Sequence, residues 1–253
     1  MNGNRLTTFG GILVLGFLAS LPARAADAPA KPVTLDTDPH LVGWWKFDED
    51  AGKTAADASG KGHDATLEGG AAFETHSAAG KIGKALRFEG GDGIRVAGYK
   101  GVTGTQQRTV SAWIKTKNAN GEIVSWGLKD AGKMFTVGFI RARVGVTPKG
   151  GYLYMNAATD DDQWHHVVVV VREGSPPNLH DDVKLYRDGS QAEIGDIGLL
   201  DLWPIDTGDT EEVRIGQRYK GLIDDLRIYD RALSDHEVAA LYKLETNRPL
   251  GKP

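Results

Sequence analysis

The segment Gly221–Tyr242, G-L-I-D-D-L-R-I-Y-D-R-A-L-S-D-H-E-V-A-A-L-Y, constrains this chain more than any other, because it reads as a strand, a short turn and one capped helix. Ser234 and Glu237 stand at capping-box spacing, so the hydroxyl accepts from the Glu237 amide and the carboxylate accepts from the Ser234 amide. Leu233 and Val238 fit the flanking hydrophobic staple. Val238, Leu241 and Tyr242 share one helical face, so this brief helix needs a larger apolar surface to lie on. The remaining chain has to supply that surface.

From Leu41 onward, apolar runs alternate with Gly, Asp and Asn punctuation, the pattern of many short antiparallel strands. Leu41, Gly43, Trp45 and Phe47 alternate with Val42, Trp44 and Lys46, which sends one tryptophan into the core. Val110, Ala112 and Ile114 alternate with Ser111, Trp113 and Lys115, and Phe135, Val137 and Phe139 line one face of a later strand. Val167 to Val171 is apolar throughout, so it belongs in a central strand whose outer face is covered by the partner sheet or by a loop. Asp188-Gly189 suits a tight hairpin turn. Pro176-Pro177 removes two amide donors and marks an exposed connection. There is no internal repeat, and 253 residues suit a single all-β domain.

These segments resemble the laminin-G-like jelly-roll family, related in fold to concanavalin A-type lectins and pentraxins. The closing segment carries the resemblance together with Gly43–Glu49 (G-W-W-K-F-D-E), Asp57–Leu67 (D-A-S-G-K-G-H-D-A-T-L) and Gly83–Phe88 (G-K-A-L-R-F). Thr109–Thr116 (T-V-S-A-W-I-K-T), Gln163–Val170 (Q-W-H-H-V-V-V-V) and Lys184–Gly189 (K-L-Y-R-D-G) extend it. The resemblance implies an all-β fold, an antiparallel β-sandwich of jelly-roll type with one short C-terminal helix, over residues 41–243, followed by a tail at 244–253. It also implies a non-catalytic recognition module for a glycan or cell-surface polymer. A carbohydrate-active enzyme (glycosidase or lyase) and a structural, adhesive protein-binding domain are the alternatives on this fold.

Residues 1–25 read as a signal peptide: Arg5, an apolar run from Phe9 to Leu21, and Ala23-Arg24-Ala25 as a cleavage pattern. The expected destination is secreted, periplasmic or extracellular. The apolar run is shorter than the ~20 residues of a membrane span, so no stable membrane insertion is expected. Residues 26–40, rich in Ala, Pro and Asp, read as a linker. A chain starting at Thr37 is therefore expected to be as stable as one carrying residues 26–36. The formal charge is −4, and without clustered Lys and Arg no nucleic-acid partner is expected. Cysteine is absent, which excludes disulfides and thiolate chemistry.

Catalytic patterns are missing. The E-x-D-x-E strand of the related glucanases does not occur, and Asp235 with Glu237 belongs to the helix cap. Adjacent strand residues His165 and His166 point to opposite faces, one packed and one solvent-facing, and do not chelate one ion. Gly90–Gly93, G-G-D-G, precedes no helix and reads as a turn. Among the aromatic residues Trp44, Trp126, Tyr152, Tyr154 and Trp203, the ligand-binding candidates are Trp203, Tyr152 and Tyr154. The family resemblance also implies a structural calcium near the sandwich rim, with Asp48, Asp57 and Asp224 as ligands. The other reading makes Asp57 the cap of its Ser-Gly turn and Asp224 an acceptor for backbone amides where the closing strand kinks.

Overall fold

The computed structural model describes Met1, Gly3 and residues 34–198 and 204–246. The expected signal peptide, residues 26–33 of the expected linker, Trp203 and the last seven residues of the tail lie outside the described residues.

The first strands are β1 (Leu41–Trp45), β2 (Thr54–Ala55) and β3 (Ala65–Glu68), followed by the one-turn helix α1 (Phe73–His76). Next come β4 (Ser77–Ala79), β5 (Lys84–Glu89), β6 (Gly93–Arg95), β7 (Arg108–Lys115), β8 (Glu122–Gly127) and β9 (Met134–Ile140). They are followed by β10 (Arg143–Thr147), β11 (Leu153–Met155), β12 (His165–Val171), β13 (Val183–Arg187), β14 (Ser190–Gln191) and β15 (Ile194–Ile197). The chain closes with β16 (Glu211–Ile215), β17 (Lys220–Tyr229) and the helix α2 (Asp235–Thr246). One antiparallel sheet has eight strands, ordered β14-β13-β12-β7-β17-β5-β4 with β1 also paired to β17. The other has nine, ordered β15-β11-β10-β9-β8-β16-β6-β3-β2. Together they form the expected sandwich.

Strand periodicity builds the core. Val110, Ala112 and Ile114 of β7 and Val167, Val169 and Val171 of β12 face inward. On the nine-stranded side, Leu67, Ile94, Ile215, Val124, Val137, Val146 and Leu153 occupy successive paired positions across seven strands. That row forms the inner floor of the sheet.

The outer face of the valine strand is covered by neither of the expected elements. Val168 and Val170 pack instead with Tyr186, Tyr229, Leu233, Val238 and Leu241, so the closing helix is the cover. The helix begins as the sequence indicates: Glu237 accepts from the Ser234 amide at 2.8 Å, and Ser234 Oγ accepts from the Glu237 amide at 3.3 Å. Trp45 enters the main core while Trp44 joins the cluster under the helix. A register shift between Leu41 and Gly43 puts Leu41 on the side of Trp44 rather than that of Trp45. In β17 a similar shift between Asp224 and Arg227, with Asp225 at φ 49°, lets Ile223, Leu226 and Ile228 all face the core. There the strand exchanges β5 for β1 as its neighbour. Asp188 and Gly189 both have positive φ and form the β13–β14 hairpin.

Residues 34–40 belong to the fold, and this corrects the expectation that a chain starting at Thr37 loses nothing. Asp36 accepts from Arg227 Nη1 at 2.6 Å, and Asp38 accepts from Arg231 Nε at 2.9 Å. Leu35 packs against the cluster beneath the helix. The expected solvent-facing histidine is also corrected: His165 is 6% exposed and His166 0%. His165 is held between Asp188 and Asp161, each at 3.0 Å, and His166 lies under α2 beside Trp113 and Tyr242.

Candidate functional site

α2 covers the outer face of the eight-stranded sheet over β1, β12, β13 and β17, whereas among the described residues no helix lies on the outer face of the nine-stranded sheet. Its polar residues also run in rows. Arg95, Arg214, Ser125, Thr136 and Thr147 are successive partners across five strands. In the next row Glu122 pairs with Gly138, Gly138 with Gly145, Gly145 with Tyr154 and Tyr154 with Asp196. The two glycines leave no side chain in the middle of that row. They are also required by spacing, since a Cβ on Gly145 would fall 2.2 Å from the Leu153 carbonyl oxygen and one on Gly138 2.6 Å from that of Gly121.

The result is a trough of about 790 Å³ floored by Ser125, Thr136 and Thr147 and walled by Glu122, Arg214 and Arg218. A smaller hollow of about 210 Å³ adjoins it over Gly138, sharing Glu122, Thr136, Thr147 and Arg218. Ion pairs line the walls: Arg218 with Glu122 at 2.7 Å, Lys129 with Glu211 at 3.3 Å, and Arg214 with Glu68 at 2.6 Å. Such partly exposed pairs add little stability, about 0–1 kcal/mol each, but they hold charged groups in fixed positions. The Arg95 guanidinium, with help from the Gly98 amide, holds Glu212 down to about 2. Glu212 is therefore an acceptor at neutral pH and cannot serve as a general acid, which needs a raised pKa.

At the far side of this face, Tyr152 and Tyr154 stand two residues apart on one side of the strand. Their rings are 5.8 Å apart and inclined by 22°. Both hydroxyls approach Asp196 Oδ2, at 3.3 and 3.5 Å, and the Arg141 guanidinium lies 5.1 Å over the Tyr152 ring. Gly198 flanks Tyr152 and Gly195 flanks Tyr154 closely enough that a Cβ would press on either ring. The structure thus brings together two of the three expected binding aromatics, both half-buried. Trp126 is fully buried, its indole donating to the Val102 carbonyl at 2.9 Å, and Trp44 is 5% exposed. Neither is a surface aromatic.

Nucleophilic chemistry finds no support in the serine–histidine contact. Ser111 Oγ lies 2.7 Å from His166 Nε2, but Glu245 approaches the same nitrogen at 3.3 Å, so no acid orients the opposite side of the ring. All of this is sealed beneath α2. Burial, followed by the nearby Arg227 charge, pushes His166 down to about 3.

The three expected calcium ligands do not share one site. Asp57 spends both oxygens locally: Oδ1 accepts from the Trp44 and Ser59 amides at 3.0 and 2.9 Å, and Oδ2 from Ser59 Oγ and the His63 amide at 2.8 and 2.9 Å. Asp48 and Asp224 do line one pocket of about 450 Å³, with Asp36, Asp225 and Lys46. Asp48 Oδ1 accepts from the Lys84 amide at 2.8 Å and Asp224 Oδ2 from the Ile82 amide at 2.9 Å, so the two carboxylates pin the turn between β4 and β5. Asp224 Oδ1 is buried and has no hydrogen-bond partner. An orphaned carboxylate oxygen in an oxygen-rich pocket fits a hard divalent cation. Asp224 alone of the three carries such an oxygen; Asp48 shares its pocket, and Asp57 has both oxygens spent.

Residues 88–239, more than half of the chain, match the Laminin_G_3 family of the concanavalin A-like lectin/glucanases superfamily. The chain belongs to this family. Among solved structures it is similar to domain 4 of AbnA, an extracellular GH43 arabinanase from Geobacillus stearothermophilus, determined in complex with arabinotriose. That likeness has 26% identity and a TM-score of 0.58, and covers 80% of this chain and 98% of that one. The binding domain of Paraclostridial Mosquitocidal Protein 1 matches at 18% identity and TM-score 0.54, over 82% of this chain and 53% of that one. The botulinum neurotoxin serotype G binding domain matches at 14% and 0.52, over 82% and 51%. These two toxin domains support the fold alone, and the chain spans about half their length. No curated protein matches the chain. No helix among the described residues is long and apolar enough to cross a membrane.

The trough residues carry no linear motif. Glu122 and Arg218 lie 96 positions apart, and only the strand register joins them. The local signal for the trough was the alternation of small polar residues, Ser125 and Thr136, with apolar ones.

Proposed function

We propose that this protein is a non-catalytic glycan-binding module that holds an oligosaccharide along the outer face of the nine-stranded sheet, with Tyr152 and Tyr154 as its stacking platform. The observation that carries the reading is the paired tyrosines on the same sheet face as a hydroxyl-floored trough, their rings braced by Gly195 and Gly198. Rigid aromatic rings offer apolar faces to the C–H faces of sugars, while the fixed carboxylates and guanidiniums beside them bind hydroxyls. The arabinotriose bound to the AbnA domain makes arabino-oligosaccharides the first probe to try.

The test is a titration of the full chain against a panel of neutral and acidic oligosaccharides that includes arabinotriose, with release of reducing sugar followed in parallel. Loss of one stacking ring costs about 0.5–1.5 kcal/mol, so Tyr154→Ala should weaken binding roughly two- to twelvefold. Equal affinity in the wild type and the Tyr152→Ala/Tyr154→Ala double variant would refute the site, and steady release of sugar would replace the reading with the enzymatic alternative. Export through residues 1–25 is part of the proposal, supported by Arg5, the apolar run and the Ala23-Arg24-Ala25 pattern. N-terminal sequencing of the mature protein should begin at Ala26. We also place a structural calcium at Asp48 and Asp224, where it would supply charge neutralisation and cross-link the β4–β5 turn to the closing strand.

A further inference from the structure

The Gly90–Gly93 turn carries Asp92 at the corner where the chain passes from the eight-stranded sheet into the nine-stranded one. Beside it stand Glu89, the last residue of β5, and His76, the last residue of α1. We propose that His76, Glu89 and Asp92 form a binding site for a first-row transition-metal ion of the zinc type. One ligand atom from each residue lies within 4.8 Å of the others. The site stands apart from the glycan trough and from the Asp48–Asp224 pocket, and rests on neither reading.

The histidine is oriented for ligation. Thr75 Oγ1 donates to the Ala72 carbonyl at 3.1 Å, which leaves its lone pair to accept Nδ1–H of His76 at 2.8 Å. The Ala72 amide is 3.5 Å from Nδ1, too long to compete. With Nδ1 turned toward Thr75, Nε2 faces Asp92 Oδ2 at 3.8 Å. That separation is too long for a hydrogen bond but close to the ~3.3 Å between two ligands of a tetrahedral ion bound at ~2.0–2.1 Å. A metal-ligating imidazole ordinarily has its other nitrogen tied back in this manner.

The two carboxylates play unequal parts. Asp92 is fixed, because its Oδ2 also accepts from the Glu89 amide at 3.1 Å. The His76 and Asp92 side chains are sheltered, at 12% and 14% exposure. Glu89 is exposed and can swing inward to complete a third position. A nitrogen with two carboxylate oxygens selects zinc and its neighbours in the first row over calcium and magnesium, which take all-oxygen sets. Three protein ligands leave the fourth position to water. Bound there, the ion ties α1 to the β5–β6 corner.

The experiment uses the full chain, without a histidine tag and stripped with a chelator, titrated with Zn²⁺ by calorimetry and with Co²⁺ by visible absorption. One ion per chain is expected, with a Co²⁺ ligand-field band of low coordination number. Affinity should fall at least tenfold in His76→Ala and in Glu89→Gln. Glu89 is exposed, so its substitution tests ligation without threatening the fold. His40→Ala should bind as the wild type does. Absence of saturable Zn²⁺ binding, binding that survives both ligand substitutions, or displacement of Zn²⁺ by millimolar Ca²⁺ would each overturn the proposal.

Discussion

Asp36→Ala should destabilise the sandwich by about 2 kcal/mol, although residue 36 lies in a stretch without apolar periodicity. Arg227 is 0% exposed, packed 4.1 Å over the Trp44 ring, and its guanidinium is held by Asp225 at 2.9 Å, Asp36 at 2.6 Å and Glu245 at 3.3 Å. Burial disfavours the ionised form of Asp225, but the Arg227 charge and the hydrogen bond from Trp44 more than reverse this and keep it ionised. Glu245 is pushed well up by burial, against the lowering effect of the Arg227 charge. Asp36 and Asp225 are the carboxylates that accept hydrogen bonds from Arg227 Nη1 and Nη2. Removing Asp36 leaves a buried charged donor, Nη1, without its acceptor, a loss of ~1–3 kcal/mol that water entering from the vacated side partly relieves. Asp225 remains, so the larger penalty of a wholly unpaired buried charge does not apply.

For a domain of this size ~2–4 °C of midpoint accompany each kcal/mol, so the thermal midpoint should drop by ~4–8 °C. Asp36→Asn keeps an uncharged acceptor for Nη1 and should lose about half as much. Differential scanning calorimetry on the three proteins, together with a chain starting at Thr37, decides the matter. A midpoint for Asp36→Ala within ~1 °C of wild type would refute the assignment of Arg227 as a buried charge dependent on this carboxylate.

Ser234→Ala removes the acceptor of the Glu237 amide and should cost about 1 kcal/mol in urea unfolding with an unchanged m-value; no change would remove the capping box from the account. His165 has its pKa raised, first by the hydrogen bond with Asp188 and then, against the opposing effect of burial, by that with Asp161. Its protonation thus favours the folded state fully below about 6.5, and that contribution fades as pH rises through the raised value. Wild type should accordingly lose more stability than His165→Gln between pH 6 and 8, and parallel pH profiles would contradict the clamp. Calcium should raise the midpoint with the logarithm of its concentration, and Asp224→Asn, which keeps an acceptor for the Ile82 amide, should abolish the rise; equal midpoints in chelator and millimolar calcium would leave Asp48 and Asp224 as fasteners of the β4–β5 turn.

What could be read from the sequence was local. The helix cap, the Asp188-Gly189 hairpin and the alternation of β7 and β9 each depend on residues within a few positions of one another, and each appears in the structure. The Asp57 turn was legible for the same reason, since its Ser-Gly sequence dictates the bonds its carboxylate accepts. What was missed depends on pairings across the chain. Asp36 and Arg227 are 191 positions apart, and nothing near Asp36 signals a buried partner. His166 looked like half of an alternating pair, yet α2 closes over it because Val168 and Val170 on the same face need the helix. Beyond the alternation of Ser125 and Thr136 with apolar neighbours the trough was not legible, because the row from Glu122 to Asp196 crosses five strands, and one shift of register would turn the set to the other face.

The closing segment also decides where a ligand can sit. A sandwich has two outer faces, and either is a candidate for recognition until something covers it. Here β17 joins the eight-stranded sheet, and the turn after it lays α2 across that sheet's outer face, burying Val168, Val170, Tyr186 and Tyr229. The buried Arg227, Asp225 and Glu245 lie beneath the helix and residues 34–40, whose carboxylate from Asp36 completes their pairing. The helix occupies that part of the face. Among the described residues nothing comparable covers the nine-stranded sheet over Ser125, Thr136 and Thr147, and its glycine pair leaves the row between Glu122 and Tyr154 without side chains. On the proposed function, stability and recognition fall on opposite sheets, so substitutions in the trough should change ligand affinity without moving the unfolding midpoint, while those under the helix should do the reverse.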